Sequence, residues 1–273
     1  ASGGYLARRR PGPARTSRSA PLLRHDERPP MSLAAMNPTL PAEIRALAFD
    51  VFGTVVDWRT SIIREGQLLQ QRVNLAPQDW GLFANDWRAG YQPAMQDVRS
   101  GALPWTDIDG LHRRILNRLL AARDVALSED DAVDFNRVWH RLIPWPDSVA
   151  GLYRLKQTHT ITSLSNGNMA LLVNMAKHAG LPWDAVLSAE LFRHYKPDPE
   201  VYRGAAHMLG LQPAQVMMVA AHPSDLRAAA ACGLRTAYVP RPLERGPGGW
   251  MEACTAAEFD VVADDFIALA ELV

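Results

Sequence analysis

Cysteine is nearly absent from this sequence: Cys232 and Cys254 are the only two, with no CxxC pair and no cluster of histidines around them. Neither a disulfide framework nor a structural zinc site is supported, and a reducing cytoplasm fits such usage best. Lysine is almost as scarce, occurring at Lys156, Lys177 and Lys196 beside 26 arginines. No physical need selects arginine on every solvated face, so the bias reads as genomic base composition. Long hydrophobic runs are missing too; none approaches the ~18 apolar residues of a membrane span. Net charge is absent, with 29 basic against 29 acidic side chains. That balance is uneven along the chain, because residues 1–43 carry seven Arg against Asp26, Glu27 and Glu43. The remainder is mildly acidic and offers no general attraction to phosphate backbones, which argues against a nucleic-acid-binding core.

What is present describes an ordinary globular protein of one or two domains: 273 residues, 48% hydrophobic and 21% charged. The opening stretch, rich in Arg, Pro, Ser and Gly without apolar periodicity, reads as a disordered or non-native leader over residues 1–43. Order is expected from Ile44, where IRALAFDVFGT reads as a buried strand running into a turn, with Asp50 at the strand's carboxyl end. From Trp58 to Pro146 the spacing becomes helical, in segments around Ile62 to Leu69, Trp80 to Met95, Leu111 to Leu120 and Val133 to Leu142. Beyond Pro146, strands are expected at 159–165, 185–188, 215–221, 235–240 and 260–263, with helices at 168–179, 199–209, 223–232 and 264–272. Asp198 and Asp264 read as helix caps, and Asp225 has a capping reading as well. Gly180, Gly210 and Gly233 each close a helix.

Strand and helix in alternation imply an α/β fold with a Rossmann-like, doubly wound parallel-sheet core. The core comprises residues 44–57 and 147–273, and residues 58–146 form an inserted helical cap domain. Open parallel sheets bind ligands outside the carboxyl ends of their strands. Asp50, Ser165 with Asn166, and the stretch from Ala220 to Asp225 all fall at such ends, and Lys196 lies in a loop that enters another helix. Pro144-Trp145-Pro146, closing the insertion, reads equally as a stiff hinge or as plain punctuation.

DVFGTVVD, LSNGN, HYKPDPEVY and VMMVAAHPSDLRAAAACGL, in that order, resemble the four motifs of the haloacid dehalogenase superfamily. Within it, residues 44–273 resemble the L-2-haloacid dehalogenases (haloacid dehalogenase type II). The resemblance implies hydrolysis of short 2-haloalkanoic acids to 2-hydroxy acids through an ester on Asp50, with inversion at C2 and no cofactor. A small fluorinated acid falls within that class. Thr54 would hold the Asp50 carboxylate. Ser165 and the backbone around Val51 and Phe52 would take the substrate carboxylate, and Asn166 with Arg88 the departing halide. Lys196, supported by Tyr202, would neutralise the nucleophile or the substrate, and Asp225 would activate water. The resemblance also implies a homodimer.

Two features separate this chemistry from the superfamily's phosphatases. Those enzymes carry a second Asp two residues after the nucleophile to protonate an alkoxide, whereas here Phe52 stands there, and a halide departs without a proton. VAAHPSD also keeps a single carboxylate, Asp225, a thin shell for a hard cation, so no metal is expected. His222 stands where the resemblance leads one to expect Asn, Ala220 where it leads to Ser, and Ser224 where it leads to an aromatic. Whether His222 or Asp225 activates the water stays open. LSNGN lacks the glycine two before Ser165 that a serine-hydrolase elbow needs. A phosphatase of the same superfamily and a non-catalytic carboxylate-binding protein are the alternatives.

Overall fold

The run ALAF has no polar side to offer water, and it becomes the middle of a sheet: β1 (Ala46–Phe49) is wholly buried. The computed structural model describes residues 44–273, and the expected leader at 1–43 lies outside the described residues. After β1 come β2 (Val56–Asp57), α1 (Trp58–Arg72), α2 (Trp80–Ala89), α3 (Tyr91–Arg99), α4 (Ile108–Ala122), α5 (Glu129–Asn136) and β3 (Ile143–Pro144). The chain then runs through α6 (Ser148–Leu155), β4 (Thr160–Ser165), α7 (Met169–Ala179), β5 (Ala185–Ser188), α8 (Pro199–Met208) and β6 (Val216–Ala220). It ends with α9 (Pro223–Ala231), β7 (Arg235–Tyr238), β8 (Val261–Val262) and α10 (Phe266–Leu272).

Six strands form one parallel sheet in the order β5-β4-β1-β6-β7-β8, with Ala46 opposite both Thr160 and Val216. The chain moves outward from β1 in both directions. Right-handed crossovers therefore place α7 and α9 on opposite faces and open a crevice at the carboxyl ends of β1, β4 and β6. The expected parallel α/β fold is present, and strand ends differ from the expected ones by one or two residues.

The helical insertion is built from capped, amphipathic pieces. Asp57, Asp79, Asp107 and Ser128 accept from first-turn amides of α1, α2, α4 and α5 and satisfy donors that a helix start leaves open. Its apolar side buries Trp58, Phe83, Trp87, Ile115, Phe135 and Trp139. The stretch expected as one helix from Trp80 to Met95 breaks at Gly90, where a Cβ would meet Ile115 at 2.7 Å. At the base of the insertion, β2 and β3 pair antiparallel, and Trp145 donates from its backbone to Val55 and from its indole to Gly53. The Pro-Trp-Pro stretch is thus pinned to the turn after Asp50, across the expected boundary of cap and core.

Three local expectations need correction. Residues Ser148–Leu155 form a helix, α6, that the sequence pattern does not indicate. Asp198 sits at the start of α8, yet its carboxylate turns to Arg99 at 2.6 Å and makes no cap bond. Asp265, not Asp264, caps α10 through the Ala268 amide at 2.7 Å. Gly180, Gly210 and Gly233 do occupy the left-handed conformation that follows their helices. Among the described residues, no helix is long and apolar enough to cross a membrane.

Candidate active site

β1 ends one residue before Asp50, and the turn that follows folds back so that Val55 and Val56 donate to the Val51 carbonyl. This curl brings the Thr54 hydroxyl to Asp50 Oδ2 at 2.7 Å, while the same hydroxyl accepts from the Ala221 amide at 2.9 Å. The amide N–H groups of Val51 and Phe52 have no hydrogen-bond partner among the described residues. Gly53 adopts φ +85°, and a Cβ there would lie 2.4 Å from the Glu244 carboxylate. Glycine is required twice over, for the backbone and for the space.

Lys196 reaches the same point from the loop before α8. Its ammonium donates to Asp50 Oδ1 at 2.9 Å and to Asp225 Oδ2 at 2.5 Å. Asn166, after β4, fixes that loop by accepting from the Lys196 amide at 2.7 Å. Tyr202 was expected to support Lys196, but its hydroxyl donates to Asp225 Oδ1 at 2.5 Å. Asp225 is the third residue of α9, and both its oxygens are engaged in this way, so the capping reading is set aside. His222, just before α9, places Nδ1 3.0 Å from Asp50 Oδ2.

These groups face a cavity of about 800 Å³ between sheet and insertion, lined among others by Asp50, Phe52, Arg88, Asn166, Lys196 and Asp225. Arg88 comes from α2, its guanidinium 4.4 Å from the centre of the Tyr91 ring and its Nε buried without a partner. Ser165 is brought close in the chain but not onto the wall. It is fully buried, and its hydroxyl accepts from the Gly167 amide. Val51 and Thr54 likewise lie beneath the wall.

One residue that the sequence did not single out completes the cluster. Glu244, in the loop after β7, is buried and accepts from Trp58 Nε1 at 3.0 Å and from His222 Nε2 at 3.1 Å. Burial alone raises a carboxyl pKa, but His222 and the nearby Arg88 and Arg245 draw that of Glu244 down to about 2. Burial opposes the charged form of His222 too, yet Glu244 and Asp50 outweigh it and raise its pKa to about 10. Asp50 is likewise pushed up by burial and then held well below the usual carboxylate range by Lys196, His222 and Thr54. Lys196, despite burial, is raised by Asp225 and Asp50. For Asp225 burial dominates, joined by the negative charge of Asp50, and its carboxyl is raised.

A divalent cation does not fit this arrangement. It would belong between Asp50 and Asp225, where the Lys196 ammonium already bridges the two carboxylates. His194, Asp198 and Glu200 gather at the surface, away from the cavity wall.

An ionised carboxylate thus stands at the end of the central strand, braced by lysine under a helical insertion. The chain belongs to the haloacid dehalogenase-like hydrolases, whose family model matches residues 44–233. Among solved structures it is similar to the L-2-haloacid dehalogenase PA0810, at 46% identity and a TM-score of 0.80 over 84% of this chain and 97% of that one. It is also similar to the defluorinating L-2-haloacid dehalogenase Rha0230, at 43% identity and 0.80 over 84% and 95%. The Xanthobacter autotrophicus L-2-haloacid dehalogenase with chloropropionic acid covalently bound aligns at 25% identity and 0.71, over 84% and 98%.

Proposed function

We propose that this protein hydrolyses short 2-haloalkanoates to 2-hydroxy acids through a covalent ester on Asp50. The observation that carries the reading is the lysine bridge: Lys196 holds Asp50 ionised and joins it to Asp225 on the wall of one cavity. An ionised carboxylate is the nucleophile that displacement at C2 requires. Asp50 attacks C2 opposite the halogen, the C–O bond forms as the carbon–halogen bond breaks, and C2 inverts. The substrate carboxylate would meet the free Val51 and Phe52 amides, with the Ser165 segment behind them. The halide would leave towards Arg88 and Asn166, with the Phe52 and Tyr91 rings excluding water from it.

In the second step water bonds to Cγ of the ester and gives its proton to Asp225, which its raised pKa makes a better base than an ordinary carboxylate. The Cγ–Oδ1 bond then breaks, and Oδ1 departs as the hydroxyl of the product. No metal is needed in either step. The covalently bound chloropropionic acid of the Xanthobacter enzyme supports an ester route, and the defluorinating relative supports including fluoroacetate among the substrates. The same reading takes residues 58–146 as the cap, places the enzyme in the cytoplasm and makes it a homodimer.

Halide release from chloroacetate, fluoroacetate and each enantiomer of 2-chloropropionate, measured with and without chelator, tests this function. Chelator-insensitive release that favours the (S)-enantiomer is expected. Asp50→Asn should lower it by at least about 10³-fold. Magnesium-dependent release of phosphate from a generic ester, without halide release, would overturn the reading.

A further inference from the structure

The two oxygens of Asp50 are not equivalent. Oδ1 meets one donor, the Lys196 ammonium at 2.9 Å. Oδ2 meets two, the Thr54 hydroxyl at 2.7 Å and His222 Nδ1 at 3.0 Å. Behind His222, Nε2 lies 3.1 and 3.2 Å from the two oxygens of Glu244. Ionised carboxylates only accept hydrogen bonds. A ring held at both nitrogens between two of them must therefore carry both protons. A neutral imidazole would leave one nitrogen lone pair against a carboxylate oxygen.

Glu244 is itself fixed for this task. Trp58 donates to its Oε1 at 3.0 Å, Arg245 pairs with its Oε2 at 3.2 Å, and the missing side chain of Gly53 leaves the space that its carboxylate fills. The charged groups around the ring are Asp50 from the end of β1, Glu244 and Arg245 from the loop after β7, Lys196 with Asp225 across Asp50, and Arg88 from α2. Its two direct partners are both acidic.

We propose that Glu244 is a positioning residue that keeps His222 doubly protonated, so that His222 Nδ1–H and the Thr54 hydroxyl form the oxyanion site for hydrolysis of the Asp50 ester. The proposal rests on the ester reading above and adds an order of events to it. Oδ1, with a single donor, attacks C2, and Oδ2 remains as the ester carbonyl. When water bonds to Cγ and its proton passes to Asp225, the carbonyl electron pair moves onto Oδ2, where two fixed donors meet it. Collapse restores the Cγ–Oδ2 double bond, breaks Cγ–Oδ1 and sends that pair to the departing alkoxide. Lys196, hydrogen-bonded to Oδ1, gives the alkoxide its proton and regains one from Asp225, and the water's second proton, left on the new Asp50 hydroxyl, passes to solvent, so that Asp50 is ionised again. His222 neither takes nor gives a proton in the cycle, which leaves Asp225 as the base.

Single-turnover reactions with chloroacetate separate the two steps, with halide release reporting ester formation and intact-protein mass reporting ester decay. In Glu244→Gln the glutamine carbonyl still accepts from Nε2, but it no longer holds the second proton. Halide release should stay within about threefold of wild type. Ester decay at pH 8 should slow by about 10²-fold, the cost of losing one oxyanion donor, so that the adduct accumulates. Decay should recover as the pH falls below about 6.5, where His222 regains its proton. Nitrogen-15 NMR of the wild-type imidazole supplies a readout that needs no variant: both nitrogens should be protonated at pH 8. A neutral ring in wild type, or an ester decay in Glu244→Gln within threefold of wild type, overturns the proposal. Equal slowing of both steps overturns it as well, since Glu244 would then act through the fold. Halide release by wild type with no detectable adduct at any time overturns the ester reading and this proposal together.

Discussion

Phe52 stands two residues beyond Asp50, and its neighbours explain why that position is aromatic. It is 3% exposed and meets Trp139, Tyr91 and His112 edge to face, with ring centres 5.5, 6.2 and 6.2 Å away. His112 stacks on Trp139 at 4.0 Å, and burial depresses its pKa to about 3, so the ring contributes no charge there. A carboxylate at position 52 would meet aromatic edges and a neutral imidazole. Phe52→Asp is therefore expected to destabilise the fold and not to create a phosphatase. Lost aromatic packing alone is worth about 3 kcal/mol or more, a fall in Tm of roughly 6 to 12 °C for a chain of this size. Thermal unfolding and a phosphate-release assay check this, and an unchanged Tm or magnesium-dependent phosphatase activity would refute it. At this scale Asp50, Thr54, Lys196 and Asp225 could be picked out because each lies in a short motif that resembles one of the family's four. Glu244 could not. Its segment, PRPLERGPGG, has no periodicity, and its importance comes from Trp58, 186 residues earlier, and from His222. The one trace it leaves is Gly53, whose missing side chain makes room for it.

Among the elements, the buried parallel strands were the most legible, because continuous apolar runs flanked by glycine and capping residues leave few other readings. The antiparallel pair of β2 and β3 was hidden because two-residue strands have no period to detect. Helix α6 was hidden for a different reason. Its sequence SVAGLYRL is short and contains Gly151, which in sequence counts against a helix. In the fold that glycine is where α6 touches α10: a Cβ there would lie 2.4 Å from Phe266 Cβ and 2.7 Å from its backbone carbon. Backbone cannot move aside as a flexible side chain can. Gly151→Ala gains up to about 1 kcal/mol in helix propensity and loses about 1 to 3 kcal/mol in forced separation of the helices. The packing loss should win, giving a Tm lower by a few degrees, with halide release per folded molecule unchanged because neither helix lines the cavity. A higher Tm would show that the two helices can separate at no cost.

At the scale of the whole molecule, balanced charge concealed a concentrated arrangement. Three acids and two bases, Asp50, Asp225, Glu244, Lys196 and His222, share one buried network, and such charges are tolerated only because each is paired. Overall composition carries no trace of it, since pairing depends on which chain segments meet. The network nevertheless governs how global stability depends on pH. His222 has a pKa of about 10 in the fold against 6.5 when free, so its proton stabilises the folded state fully below pH 6.5. That contribution fades as the pH rises towards 10. Glu244, at about 2 against 4.5, contributes its stabilisation above pH 4.5 and loses it as the pH falls towards 2. Both contributions are complete only between about pH 4.5 and 6.5. The alkaline slope belongs to His222 and is worth roughly a few kcal/mol across its window. Denaturant unfolding of wild type and His222→Asn from pH 5 to 10 isolates it. Wild-type stability should fall more steeply than that of the variant above pH 6.5, so the two curves converge towards pH 10. Parallel curves over that range would mean that His222 is neutral in the folded protein, and the imidazolium between Asp50 and Glu244 would then have to be abandoned.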